Sequence, residues 1–245
     1  AVDATLFICE TGTTARSRKW PVYASLNATR AISRMEVVDG VLIADADSAA
    51  RTSYLVGRCE PEWRSGLKHD CSRVMELEVV DGALMNGLGE HVQIEEEIVF
   101  PLLKSSDVAN GKARRERMVV VPQRALGEDT AELKKRAPKA WKYLSAHADL
   151  LRARKSSIYR GQPDFAIFGI GPYSFAPWKV AISGMYKRCE FTFVGPQHGR
   201  PVMFDDTCYF LPFETEAEAR AAWERLRSPE AKDFFAGRIF WDAKR

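Results

Sequence analysis

Cations, hydroxyls and aromatic rings are concentrated in residues 154–188, a stretch whose one carboxylate is Asp164. Side chains of these types bind phosphate oxygens and stack on bases more readily than they break bonds. The candidates for base-edge contacts, shape readout or stacking are Arg160, Gln162, Tyr173, Trp178 and Lys179. The alternative is a buried hairpin whose aromatic rings are core, and Trp178 in particular suits inward packing.

A second set of cations and hydroxyls lies earlier in the chain, beside glycine or at the end of an apolar run. Arg64, Ser65 and Lys68 surround a Gly-Ser turn, and Lys104 and Ser105 follow the run at residues 100–103. Such groups commonly hold phosphate, so we expect these five residues to contact a nucleic-acid backbone. The alternative for Ser105 is the start of a helix, where a serine caps backbone donors.

The distribution of charge favours a polyanionic partner. Residues 101–200 contain 19 Lys or Arg and 8 Asp or Glu, a net charge of +11, although the whole chain carries only +3. Segregated positive charge attracts nucleic acid and makes binding dependent on salt. We expect the middle of the chain to form one continuous cationic face along a double helix. A solvated helix face would also explain some of these lysines.

Length and cysteine content indicate an ordinary globular protein. At 245 residues the chain is long enough for one large or two modest domains. Its five cysteines are irregularly spaced, which is typical of reduced thiols in the cytosol. Residues 1–10 do not form a signal peptide, and no apolar run is long enough to span a bilayer, so we expect a cytoplasmic protein without membrane contact.

The elements that would position these side chains alternate between β-rich and helical segments. Asp-Gly dipeptides at Asp39 and Asp81, each flanked by β-formers, predict two hairpins. Apolar residues spaced three and four apart predict a helix from Pro138 to about Arg154. Strands are expected at residues 4–9, 165–168 and 179–182, among others, and a capping box at Thr215 starts a late helix. The order indicates an α+β fold with mixed, mostly antiparallel sheets and a few packed helices.

Four blocks in a shared order carry a family resemblance: WRSGLKHDCSRVMEL, FPLLKSSDV, IYRGQPDFAIFGIGPYSFAPWKVAISGMYK and DDTCYFLPFETEAEA. The chain resembles the target-recognition region of N6-adenine DNA methyltransferases of restriction–modification type, with a TaqI-like C-terminal specificity domain. The resemblance covers about residues 63–241. It implies a TaqI-like architecture in which this region faces double-stranded DNA and supplies sequence choice.

The chain departs from that family at the catalytic motifs. It has no Pro-Pro dipeptide, so the N/D-P-P-Y/F motif is absent, and it has no glycine-rich S-adenosylmethionine loop. We therefore predict no catalytic, cofactor-binding or metal-binding residue in this fragment. The resemblance implies that S-adenosylmethionine belongs to the parent's N-terminal methyltransferase domain, a second expected partner. Residues 1–20 would be that domain's last strand and a linker, and residues 21–245 the recognition domain, divisible into 21–125 and 126–245.

Two other classes of function remain open. A metal-dependent nuclease would use carboxylates such as Asp205, Asp206 and those of residues 95–97, although no Glu-x-Lys arrangement follows an acidic pair. Cys59, His69 and Cys71 match no zinc spacing. In a protein-interaction module, the positive charge of the middle segment would be incidental.

Overall fold

The computed structural model of the protein describes residues 19–113, 116–186 and 188–240. The chain divides into two compact units. Among the described residues, one contains the chain up to Val56 with Asp233–Phe240, and the other contains Gly57–Lys232. The expected strand at residues 4–9, and all but the end of the expected segment 1–20, lie outside the described residues.

The strands and helices are short. The strands are β1 (Lys19–Val22), β2 (Ser33–Val38), β3 (Val41–Ile43), β4 (Arg64–Ser65), β5 (Glu76–Val80), β6 (Ala83–Asn86), β7 (His91–Val92), β8 (Val99–Leu103), β9 (Arg117–Val120), β10 (Trp178–Ser183), β11 (Phe191–Val194), β12 (Met203–Phe204) and β13 (Cys208–Phe213). The α-helices are α1 (Ala46–Arg51), α2 (Ser72–Met75), α3 (Ser105–Ala109), α4 (Leu133–Arg136), α5 (Pro138–Ala146), α6 (Ala148–Arg152), α7 (Glu216–Leu226) and α8 (Pro229–Arg238). Single 3-10 turns occur at Ser53–Leu55, Glu96–Ile98, Thr130–Glu132, Ser157–Tyr159 and Pro172–Phe175. Among the residues that the structure describes, no helix is both long and apolar enough to cross a bilayer.

The first unit is built on the antiparallel sheet β1–β2–β3. Its predicted hairpin is confirmed, because Asp39 and Gly40 have φ values of 50° and 81°, as a type I′ turn requires. The Asp233 carboxylate accepts two hydrogen bonds from Arg51, at 2.8 and 3.1 Å. This bidentate pair joins α8 to α1 within the unit.

The larger sheet of the second unit has the strand order β12–β8–β9–β5–β6–β7. Its pairs are antiparallel except that β12 runs parallel to β8. Strand β8 is buried at every position, as its continuous apolar sequence predicts for a strand covered on both faces. Leu133, Leu144 and Leu151 of α4, α5 and α6 belong to the core cluster of this sheet. The three helices therefore bury their apolar sides there.

The smaller sheet of the second unit is the antiparallel set β11–β10–β13–β4. Helix α7 packs against it, and the indole nitrogen of Trp223 donates to the Phe191 carbonyl at 2.8 Å. The predicted cap at Thr215 is confirmed, because Thr215 Oγ1 accepts from the Glu218 backbone N–H at 3.3 Å. The second bond of a capping box is replaced by one in which the Thr215 hydroxyl donates to the Glu218 carboxylate at 2.6 Å. This sheet carries β4 and β10, from which several candidate residues project.

The predicted α+β class with mostly antiparallel sheets is confirmed. The strand predicted at residues 165–168 is wrong, because Phe165 ends a turn and only Phe168 makes a β-bridge, an isolated one with Lys68. Phe165 has a φ of 66°, outside the extended range of a strand. The helix predicted from Pro138 is interrupted at His147, which separates α5 from α6.

The described chain does not divide at residue 125. Strand β12 pairs with β8, and β4 pairs with β13, so both sheets combine segments from before and after that position. The boundaries of the compact units are set by hydrogen bonds between segments that are distant in sequence. Sequence composition does not encode these bonds.

Candidate nucleic-acid interface

Three backbone segments cross beside the candidate residues Arg64, Ser65 and Lys68. The N–H of Leu67 donates to the Phe204 carbonyl at 2.7 Å, and Lys68 and Phe168 exchange two backbone hydrogen bonds of 2.9 Å. Gly66 lies inside this crossing, where a Cβ would overlap the carbonyl oxygens of Phe204 and Asp205. The crossing thus requires glycine and holds the preceding and following side chains in place.

Arg64 and Tyr173, predicted as contacts from two separate stretches, lie against each other. The Arg64 guanidinium carbon is 4.9 Å from the centre of the Tyr173 ring, within cation–π range. Arg64 also lies 2.8 Å from the Glu62 carboxylate. Tyr173 is half-buried, and burial raises the pKa of its hydroxyl. Ser65 is exposed next to Arg64 on β4.

Lys68 does not offer an uncompensated charge for a phosphate. Its ammonium lies 2.8 Å from the Asp70 carboxylate and 3.0 Å from that of Asp206. The hydrogen bonds to these two groups raise the pKa of Lys68 above its usual value. Two carboxylates beside one ammonium make the local field negative, so the structure does not support the predicted backbone contact.

Lys104 and Ser105 are engaged inside the second unit. Lys104 Nζ lies 2.6 Å from Glu76, whose other oxygen is 3.5 Å from His69. Burial acts to raise the pKa of Glu76, but hydrogen bonds from His69 and Lys104 outweigh it and the net pKa is lowered. Ser105 is buried and its hydroxyl pairs with that of Ser183. Helix α3 does begin at Ser105, as the alternative expected. The Ser105 hydroxyl does not cap this helix, because it contacts Ser183 instead.

Lys179 and Trp178 also face inward. Lys179 is 1% exposed, and its ammonium donates to the Ala176 carbonyl at 2.6 Å. The Trp178 ring centroid lies 5.5 Å from that of Phe193, and the ring covers Gly195, where a Cβ would collide with it. The predicted base contact of Lys179 is corrected, because its charged end does not reach the surface. Half-buried Trp178 takes the inward packing noted as its alternative.

Arg160 and Gln162 are exposed and line a surface cavity of about 270 Å³, which we call the basic cavity. Its charged and amide-bearing lining residues are Arg152, Arg154, Lys155, Arg160, Gln162 and Asp164. The segment after α6 forms most of its wall, with Phe165 at one end. The basic cavity therefore combines several cations with one carboxylate.

Arg154 holds the basic cavity in shape, a role that sequence reasoning missed. Its Nε donates to the Leu151 carbonyl at 2.6 Å, and its Nη1 donates to Ala166 at 2.7 Å and more weakly to His69. Its guanidinium stacks on Tyr159, whose hydroxyl donates to the Lys68 carbonyl at 3.2 Å. Burial raises the pKa of Tyr159 to about 12. The signal in the sequence was a cation directly after a helix and five residues before a tyrosine.

The acidic residues of the nuclease alternative serve structural purposes. Glu95 accepts backbone hydrogen bonds from Lys139 and Ala140 at 2.9 Å each, which caps α5. Asp205 accepts from the Thr207 hydroxyl at 2.7 Å. Within residues 19–113, 116–186 and 188–240, no group of three or more His, Cys, Asp or Glu side chains is placed to hold a metal ion.

Several cations expected to contribute to a continuous cationic face are paired with carboxylates in the described part of the chain. Lys68, Lys104, Arg117 and Arg136 each lie within 4.0 Å of a carboxylate. Arg117 contacts Asp107, whose side chain is almost fully buried. Of these pairs, Lys104–Glu76 brings a carboxylate from outside residues 101–200, whereas the partners of Arg117 and Arg136 are already counted in the net charge of that range. The basic cavity is where several cations gather around a single carboxylate.

Comparison with known proteins finds a similar chain among the methyltransferases of restriction–modification systems. The chain is 42% identical over 246 residues to the Type II methyltransferase M.NspV from a Nostoc species, a match that covers 100% of this chain. The chain spans 51% of the length of that relative. No protein-family profile matches the sequence.

A solved structure was also found, that of MmeI, a Type IIL restriction-modification enzyme in complex with DNA. The match covers 74% of this chain and 23% of MmeI, with a TM-score of 0.45 and 13% identity.

Proposed function

We propose that this chain is the DNA target-recognition part of an S-adenosylmethionine-dependent N6-adenine DNA methyltransferase of a restriction–modification system. The observation that carries this proposal is the 42% identity to a Type II methyltransferase along the whole chain. Such a match extends through both sheets of the second unit and through the segment that lines the basic cavity. It makes a common fold and a related role the simplest account of the chain.

In this proposal, this chain and the rest of the methyltransferase have different roles. The relative is about twice as long as this chain, and the sequence contains neither a Pro-Pro dipeptide nor a glycine-rich cofactor loop. We therefore assign S-adenosylmethionine binding and methyl transfer to the remaining half. This chain would contribute contacts that place the duplex and select its sequence.

The proposed surface for duplex DNA comprises candidate residues that are exposed or half-buried in the tertiary structure. They are Arg64 and Ser65 on β4, Tyr173 beside Arg64, and Arg160 and Gln162 at the basic cavity. Arginine and glutamine side chains can each make paired hydrogen bonds to base edges, and arginine also binds phosphate. Lys179 and Ser105 are left out because they are buried.

The first unit supplies a surface for the second proposed partner, the remainder of the methyltransferase. Several large apolar side chains are exposed there; Leu26 is 83% exposed and Ile32 is 67% exposed. The others are Tyr23, Val38, Val41, Leu42, Tyr54, Leu55 and Val56. Apolar groups this exposed are typical of protein–protein contacts. About half of the relative lies outside the match. A corresponding half, covalently joined to this chain, would be the partner that covers this surface.

A binding experiment tests the proposed function. Fluorescence anisotropy of a labelled duplex would be measured against the purified chain at several salt concentrations. We expect binding at low salt that weakens linearly on a logarithmic scale as salt rises, because phosphate contacts release counterions. A parallel assay with tritiated S-adenosylmethionine should show no methyl transfer by this chain alone.

Three results would contradict the proposal. Failure to bind any duplex at low salt would favour the protein-interaction module. Cleavage of the duplex on addition of magnesium would favour the nuclease. Methyl transfer by the chain alone would show that the catalytic groups lie within it.

A further inference from the structure

We propose that the basic cavity seats a backbone phosphate of duplex DNA, so that Arg160 positions the duplex and does not read its sequence. This inference rests on the function proposed above and narrows it. It changes the role expected for Arg160 and Gln162, which the sequence placed among the contacts to bases.

The charges of the basic cavity are the first argument. Asp164 lies 3.5 Å from Arg152, but these side chains are 53% and 63% exposed, so water weakens their attraction. Lys155 and Arg160 show no ion pair with a carboxylate in the described ranges 19–113, 116–186 and 188–240. The basic cavity therefore keeps an excess of positive charge. Elsewhere in this unit, the charges of Lys68 and Lys104 are balanced by carboxylates in ion pairs.

The shape of the basic cavity is the second argument. Base edges lie at the floor of a groove, so a side chain that reads them must project from a convex element. Phosphates instead project from the outside of the duplex and fit a concave site. Arg160 and Gln162 line a depression of about 270 Å³, which suits a phosphate with part of its sugar. Their N–H groups, with the Ser156 hydroxyl on the same wall, are donors that phosphate oxygens accept.

The rigidity of the wall is the third argument. The backbone N–H of Arg160 donates to Ser157 at 3.1 Å, and that of Gln162 donates to Tyr159 at 3.3 Å. The Arg154 guanidinium lies 3.7 Å from the Tyr159 ring centroid and ties the same turn to α6. Groups held in this way lose less conformational entropy when an anion binds than groups on an unsupported loop.

The test compares Arg160→Ala with Lys142→Ala, using the full chain and anisotropy over a series of salt concentrations. Lys142 is an exposed cation of α5 that does not line the basic cavity, so its variant has the same change of net charge. Two duplexes of unrelated sequence would be used, one of them with a methylphosphonate at successive positions. Both variants should keep the unfolding midpoint of the wild type, because both side chains are exposed.

We expect Arg160→Ala to weaken binding to both duplexes by the same factor and to reduce the salt slope by about 1. We expect Lys142→Ala to leave the slope closer to that of the wild type. One neutral methylphosphonate should weaken the wild type but have no further effect on Arg160→Ala.

Loss of affinity for only one duplex sequence, with an unchanged salt slope, would show that Arg160 reads bases and would overturn the inference. Equal effects of Arg160→Ala and Lys142→Ala, or no effect of either on a chain that binds DNA, would also overturn it while leaving the proposed function intact. Absence of any binding by the wild type at low salt would overturn both proposals.

Discussion

The guanidinium of Arg154 lies over the ring of Tyr159, with its central carbon 3.7 Å from the ring centroid. Arg154 follows α6, and Tyr159 ends the 3-10 turn that carries Arg160. The Tyr159 hydroxyl in turn donates to the Lys68 carbonyl at 3.2 Å. This pair therefore connects the wall of the basic cavity to the backbone crossing that positions β4.

Replacement of Arg154 by alanine should destabilise the second unit. It would remove hydrogen bonds to the carbonyls of Leu151 and Ala166 and the stacking on Tyr159. Hydrogen bonds from a charged group contribute about 1.5–3 kcal/mol each, and they are not additive, so we expect a loss of about 2–4 kcal/mol in the free energy of unfolding. Urea denaturation followed by circular dichroism would measure it.

Arg154→Lys and Arg160→Ala are the matched controls for that measurement. Lysine keeps the charge but cannot present the planar fork, so it should restore only part of the stability. Arg160 is exposed, and its loss should change stability by less than about 0.5 kcal/mol. If Arg154→Lys were as stable as the wild type, charge alone would explain the contribution of Arg154.

Replacement of Gly66 by alanine should be among the most destabilising small changes in the chain. The new methyl group would overlap the carbonyl oxygens of Phe204 and Asp205, which are backbone atoms held by hydrogen bonds and cannot rotate away. We expect a loss of about 3 kcal/mol or more, the upper range for overpacking. Gly57→Ala, where a Cβ has open space, is the control and should be nearly neutral. Thermal unfolding midpoints that agree for the two variants would contradict the tight crossing.

The buried ammonium of Lys179 should make stability depend on pH above neutrality. Burial lowers its pKa from 10.5 to about 7 in the folded chain. Between these values the unfolded chain binds more protons than the folded one, so the free energy of unfolding rises with pH. A single such group gives a slope of at most about 1.4 kcal/mol per pH unit. Below pH 7 both states are protonated, and the full cost of the buried charge remains.

Lys179→Met isolates this contribution, because methionine has a similar length and no charge. We expect the variant to be more stable than the wild type at pH 6 and to show a flatter dependence between pH 7 and pH 10. Urea denaturation at intervals of one pH unit would give both curves. Parallel curves for the two proteins would show that other groups cause the pH dependence.

Lysines introduced on the apolar surface of the first unit should weaken assembly while changing the stability of the fold only slightly. Leu26 and Ile32 are largely exposed, so Leu26→Lys with Ile32→Lys should change the stability of this chain by less than about 1 kcal/mol in total. We expect the pair to weaken association with the proposed catalytic half, expressed separately, at least tenfold, because an interface core disfavours unpaired lysines. Analytical ultracentrifugation of the mixture would measure association. An unchanged association constant would place the contact elsewhere.

Local features of the structure were predictable because their causes are local. Asp39-Gly40 forms its hairpin because these two residues accept the positive φ that a type I′ turn requires. Thr215 caps α7 through a group only three residues away. The conformation of residues 165–168 was not predictable in the same way. An apolar run satisfies a strand pattern and a buried turn equally well, and long-range contacts decide between them.

The predictions for the candidate site residues show the same difference between local and long-range causes. Residue types correctly drew attention to Arg64, Tyr173, Arg160 and Gln162, which the structure leaves accessible or partly so. For Lys179 the residue type gave a wrong prediction of a base contact. Side chains alternate between the two faces of β10, and that of Lys179 points into the core. A sequence shows that a side chain is cationic but not which way its strand faces.

Amino-acid composition and order alone established the α+β class, the hairpin turns, the helix caps and the likeness to restriction–modification methyltransferases. Which cations keep their charge available was decided only in three dimensions. Lys68 is paired with Asp206, 138 positions further along the chain, while Arg160 forms no ion pair with a carboxylate among the described residues. The physical reason is that Coulomb attraction depends on distance through space, which folding sets and sequence separation does not.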